Sequence, residues 1–110
     1  MDKKTLNLAY KLAYCQGLCN YCFNACLEEK DIQMMKDCIK YDKECAEICG
    51  TAFSLLSSSS PFLKDMLEVC VTACRKCGEE CGKHQNGHCR ECAKACLECE
   101  NACKEYIADL

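Results

Sequence analysis

Polar and apolar positions alternate along this chain with a helical period, and the apolar stripe is largely cysteine. Leu8, Leu12, Cys15, Cys19, Cys22 and Cys26 follow steps of four and three, and Leu63, Leu67, Cys70, Cys74, Cys77 and Cys81 repeat the phase. Such steps mark one face of an α-helix. The pattern predicts four helices. The first runs over 2–29 with Asp2 as N-cap, and the second over 31–56 with Asp31 as N-cap. The third opens with Ser60 as N-cap and Pro61 at the first helical position and ends near Lys83. The stretch His84-Gln85-Asn86-Gly87 breaks the pattern, and the fourth helix runs over 88–109. Glu100 and Lys104 form an i,i+4 pair on its outer face.

Short connections between four helices imply an all-α fold, an antiparallel up-down-up-down four-helix bundle with a cysteine-lined core. Residues 1–110 are too few for a second domain. Antiparallel folding segregates the stripes. Leu8, Leu12, Phe53, Leu56, Phe62, Leu63, Leu67, Tyr106, Ile107 and Leu110 collect as an apolar plug at one end. The cysteines line the rest in approximate layers. Cys26, Cys38, Cys81 and Cys89 lie nearest the open end. Below them come Cys22, Cys77 and Cys92, where the second helix offers Tyr41 or Asp42 instead of a thiol. Cys19, Cys45, Cys74 and Cys96 follow, then Cys15, Cys49, Cys70 and Cys99, with Cys103 deepest. Small residues flank the stripe in the pairs Ala25-Cys26, Ala73-Cys74, Ala95-Cys96 and Ala102-Cys103, which lets helix axes approach closely. Gly17, Gly50 and Gly78 lie inside helices and either make room beside the stripe or are tolerated on the surface.

Composition then narrows the chemistry. Sixteen cysteines contribute to the 50% apolar fraction, aromatics are only 7% and Trp is absent, so the conventional core is thin and metal or oligomerisation is expected to add stability. A net charge of −3 gives no support to nucleic-acid or anionic-membrane binding. No apolar run approaches the ~20 residues of a membrane span. The N-terminal segment carries Lys11 and polar residues where a secretory signal needs an apolar stretch, so the expected compartment is the cytoplasm. There thiols stay reduced, and an i,i+4 disulfide would constrain little that a helix does not already fix, which argues against a disulfide framework.

Thiols that stay reduced on one helical face are soft metal ligands, selecting Cu(I), Zn(II) or iron–sulfur clusters. Four all-thiolate zinc sites would bury a charge of roughly −8, which is costly in a dry core. Cu(I) needs only two or three thiolates and accepts bridging ones, so about one ion per thiolate leaves the core neutral. Helical i,i+4 neighbours lie close enough to share an ion. Seven C-x-x-x-C pairs have this spacing: Cys15/Cys19, Cys22/Cys26, Cys45/Cys49, Cys70/Cys74, Cys77/Cys81, Cys92/Cys96 and Cys99/Cys103. The C-x-x-C pairs do not fit thioredoxin-like redox catalysis, because no strand is predicted and only Cys89/Cys92 lies near a helix start. No run matches iron–sulfur spacing. His84 and His88, with Met34 and Met35, fall at the open end, as expected of an entry path for a soft metal. His84 continues the third helix's stripe from Cys81.

The seven pairs and the tail HCRECAKACLECENAC resemble the bacterial four-helix-bundle copper-storage proteins, particularly their leaderless cytosolic branch. The resemblance covers nearly the whole chain. It implies storage of many Cu(I) ions on inward-facing cysteines, a tetramer of bundles, and histidines at the metal-admitting end, a role that His84 and His88 match by position. A copper donor or acceptor protein is the expected partner, and no enzymatic activity is expected. The departure is at Tyr41/Asp42, which interrupts the thiol column. The rival readings are a Zn(II) or general thiolate buffer, capped at about four ions by four-ligand sites, and a helical interaction protein whose thiols merely fill the core.

Overall fold

The structure, a computed structural model, describes residues 1–110. Its elements are α1 (Lys3–Leu27), a one-turn 3-10 helix (Ile32–Met35), α2 (Lys36–Ser57), α3 (Leu63–Cys81) and α4 (Gly87–Ala108). α1 and α3 each pack between α2 and α4, so the four helices stand at the corners of a square prism 44 × 19 × 17 Å. The all-α bundle expected from the periodicity is present.

Helix ends depart from expectation at two starts. Asp2 caps α1 as anticipated, accepting the Thr5 N–H at 2.8 Å. Asp31 makes no side-chain cap. The chain instead enters α2 through the 3-10 turn, which swings Met35 into the core (3% exposed) and leaves Met34 outside (67%). Nor does α3 start at Pro61. Ser59 adopts a positive φ of 53°, and the Ser60 N–H bonds back to the Leu55 carbonyl at 3.0 Å, so this segment closes α2. Pro61 and Phe62 form the turn that follows, with Ser60 Oγ accepting the Phe62 N–H, and α3 opens at Leu63. At its other end α3 stops at Cys81, two residues before Lys83.

The prism's interior is unusual in what fills it. All sixteen cysteines are buried, among 29 buried residues in total, so thiols rather than branched side chains make up most of the core. The plug at the opposite end is smaller than expected. Leu8, Leu12, Leu56, Leu63 and Leu67 are buried, and Tyr106 and Ile107 pack against them. Phe53, Phe62 and Leu110 are exposed. Cys49, Ala52 and Leu56 take the inner face of α2 at helical spacing and leave Phe53 beside it, Phe62 sits in the turn, and Leu110 is the last residue. Lys104 and Glu100 pair at 2.8 Å as the i,i+4 spacing requires, but Glu100 is buried beneath the lysine rather than on the outer face.

The helical glycines divide by environment. A Cβ on Gly78 would lie 3.3 Å from the Cys96 Cβ, so its absence lets α3 and α4 close over the thiol column, whereas a Cβ on Gly17 would meet open space. Gly78→Val is therefore expected to destabilise the metal-free protein by about 1–3 kcal/mol. Gly17→Ala should stabilise it by up to ~1 kcal/mol through helix propensity. Urea unfolding of the two reduced variants measures both.

Candidate metal centre

Because each helix presents its cysteines every three or four residues, the four stripes meet along the bundle axis as one column of sulfur. Within a helix, Sγ–Sγ distances are 4.0 Å for Cys15/Cys19, 3.8 Å for Cys22/Cys26, and 3.9 Å for both Cys45/Cys49 and Cys70/Cys74. Between helices they match: Cys45–Cys74 and Cys49–Cys70 at 3.8 Å, Cys19–Cys96 at 3.9 Å and Cys19–Cys92 at 3.7 Å. A trigonal ion with metal–sulfur bonds of ~2.3 Å sets its ligands ~4.0 Å apart, so the column is already spaced for metal.

Ligand groups within 4.8 Å of one another overlap. Cys15 belongs both with Cys49, Cys74 and Cys99 and with Cys19, Cys45 and Cys96, while Cys19 and Cys96 also join Cys77 and Cys92. Separate tetrahedral sites would compete for these shared sulfurs, whereas ions joined by bridging thiolates would not. Near the open end Cys22, Cys26, Cys38 and Cys89 form a further group. Cys38 there lies 3.2 Å from Cys81 and 3.8 Å from Cys89.

The gap in the second layer is filled by Asp42, while Tyr41 packs at the core's edge. Asp42 is fully buried, and its Oδ1 accepts from the thiols of Cys77 and Cys81 at 3.3 Å and of Cys92 at 3.4 Å. Its Oδ2 faces Cys38 at 3.8 Å. It forms a ligand group with Cys22, Cys81 and Cys92, so the layer lacks a fourth sulfur but not a fourth donor. Burial, and then the proximity of Cys92, push its carboxyl up to about 8. Burial likewise raises two thiols at the open end, Cys26 and Cys89, the latter to about 12, with Cys38 adding to the effect at both. Each metal that binds must displace the protons of the thiols it takes.

The two histidines have different surroundings. His88, at the start of α4, directs Nδ1 at three sulfurs: Cys22 at 3.4 Å, Cys89 at 3.5 Å and Cys26 at 3.8 Å. Its Nε2 faces Glu29 Oε1 at 3.4 Å. His84, although it continues the α3 stripe, turns its Nε2 to Glu80 at 3.0 Å, one helical turn back. It lines a cavity of about 280 Å³ with Glu29, Met34, Met35 and Asn86. The structure therefore brings His88 onto the thiols and leaves His84 and the methionines around the approach. Glu80 was readable as an i,i+4 partner of His84. Glu29 was not, because it reaches His88 across 59 residues of sequence.

Asp42 makes the stability of the metal-free protein depend on pH. Its proton is held to about pH 8 when folded but lost near 3.8 when unfolded. The folded state binds the extra proton between those values, so this contribution is complete at low pH and is lost as pH rises through about 8. The urea midpoint of reduced, metal-free protein should accordingly fall between about pH 5 and 8, and Asp42→Asn should flatten that slope.

Comparison with known proteins gives the same picture from outside. The family model described as copper storage protein matches residues 1–108. The uncharacterized cysteine-rich protein YhjQ of Bacillus subtilis (strain 168) is 44% identical over 94 residues, which cover 86% of this chain and 87% of that protein. The structure of the Cu(I)-bound copper storage protein BsCsp3 superposes with a TM-score of 0.90 at 39% identity, covering 94% of this chain and 97% of that one. The copper storage protein Ccsp of Streptomyces lividans, loaded with 10 copper equivalents, superposes with a TM-score of 0.95 at 33% identity, over 98% of this chain and 86% of that one. With its helices, its buried thiols and its full-length match all in agreement, the chain belongs to the copper storage protein family.

Proposed function

We propose that this bundle stores Cu(I), many ions per chain, on the thiolates of Cys15, Cys19, Cys22, Cys26, Cys38, Cys45, Cys49, Cys70, Cys74, Cys77, Cys81, Cys89, Cys92, Cys96, Cys99 and Cys103, with His88 Nδ1 as a further ligand at the open end. The observation that carries this reading is the sharing of sulfurs between neighbouring ligand groups. Shared sulfurs favour an ion that accepts two or three bridging thiolates over one that claims four for itself. One Cu(I) per bridging thiolate keeps the core neutral once its protons have left. The copper-loaded relatives support the same cargo.

Ions would arrive through the cavity beside His84, Met34 and Met35, pass to His88 and the Cys22–Cys26–Cys38–Cys89 group, and move inward by exchange between sulfurs 3.2 to 4.0 Å apart. The role is storage rather than catalysis. The proposed compartment is the cytoplasm; no helix is long and apolar enough to cross a membrane, and a Streptomyces lividans relative is described as cytosolic. Assembly into a tetramer of bundles, expected from the resemblance, has support in the exposed Tyr10, Tyr14 and Tyr21 on α1 and Leu97 on α4. A copper-delivering or copper-accepting protein would exchange ions at the His88 end.

Anaerobic Cu(I) titration of the reduced protein against a chromophoric chelator, with Zn(II) in parallel, tests the reading. More than about ten tightly held Cu(I) per chain is expected. A plateau at about four ions with Zn(II) bound equally well would establish the zinc buffer instead. In stopped-flow loading, His84→Ala should slow uptake with little change in capacity, because its ring lies on the approach. His88→Ala should also weaken the first ions bound, because its Nδ1 sits among the outermost thiols.

A further inference from the structure

Glu29 lies in the turn after α1, distant in sequence from the residues it joins. Its Oε2 accepts from Asn86 Nδ2 at 2.9 Å, and its Oε1 faces His88 Nε2 at 3.4 Å. A carboxylate only accepts hydrogen bonds, so in this pair Nε2 must carry the imidazole proton. The neutral ring then has one bare nitrogen, Nδ1, which is the atom turned toward Cys22, Cys89 and Cys26. Were the ring to turn over, or the proton to move to Nδ1, that lone pair would leave the thiols. The His88 side chain is only 13% exposed and Glu29 35%, so the pair is partly shielded from competing water.

We propose that Glu29 is the positioning residue for copper capture: by accepting the His88 Nε2–H, it holds the bare Nδ1 on the outermost thiol group, where the first Cu(I) binds. This rests on the copper-storage reading above. Carboxylates that orient a metal-binding histidine contribute roughly 10- to 100-fold to metal affinity, and this contact ties the turn after α1 to the first turn of α4. Asn86 has a different part. Its bond to the other oxygen braces the α3–α4 connection against the end of α1 and leaves the imidazole alone.

The test has one readout without metal and one with it. In the metal-free, reduced protein, ¹⁵N-resolved imidazole NMR should show His88 as a single Nε2–H tautomer with a slowly exchanging Nε2 proton. Glu29→Ala should broaden that proton by exchange and average the two nitrogens. Glu29→Gln, which keeps an acceptor oxygen, should largely restore the pattern, and Asn86→Ala should leave it unchanged. With chelator-buffered Cu(I), Glu29→Ala should lower the affinity for the first ion by at least ~10-fold while total capacity stays at the wild-type value. In a His88→Ala background the same substitution should have no further effect. If Glu29→Ala leaves both the nitrogen signals and the first-ion affinity as in the wild type, the proposal is overturned. It is equally overturned if Asn86→Ala reproduces the loss, or if the loss persists without His88, since Glu29 would then be only a strap between loops. A wild-type plateau near four ions would instead sink the storage reading, and the metal-free nitrogen signals tell the two failures apart.

Discussion

A thiol is small, polarizable and only a weak hydrogen-bonding group, so it can be buried uncharged at little cost and packs as a small apolar side chain. That property is what the bundle depends on. Sixteen buried cysteines are compatible with a folded protein only while they stay neutral, either protonated or balanced by a monovalent soft cation. Burial raises thiols such as Cys26 and Cys89 and so favours their protonated form. Ion binding must then exchange proton for metal at nearly constant charge. A divalent ion in an all-thiolate tetrahedron would break that balance at every site.

The same requirement explains why a carboxyl is tolerated in the middle of the column. Asp42 is surrounded by thiol donors from α3 and α4, and burial raises its pKa so that its uncharged form is favoured there. An ionised carboxylate with no such partners would be costly to bury here. Elsewhere Glu29 and Glu80 meet the two histidines at the open end, and Lys104 covers the one other buried carboxylate, Glu100. The bundle is thus polarised along its axis. One end is closed by leucines, and the other presents imidazole, thioether and carboxylate groups around a small cavity.

The repeat of three and four determined most of the molecule without any tertiary information. It placed four helices and put every cysteine on a buried face, because the helical period alone decides which side chains share a stripe. It also ordered the layers, because short connections force neighbouring helices to run antiparallel. Helix starts were less legible at Asp31 and Pro61, where local capping signals gave way to a 3-10 turn that buries Met35 and to the positive-φ Ser59 that ends α2. The gap in α2 was legible too: the alternation of four and three runs Cys38, Asp42, Cys45, Cys49, Ala52 and Leu56, which selects Asp42 over the adjacent Tyr41, and the helix buries each of them. Tertiary structure alone decided that His88 rather than His84 meets the sulfurs, and that Glu29 stands behind it. Those choices depend on where the end of α1 lies against the start of α4, a relation between residues nearly sixty positions apart that no periodicity encodes.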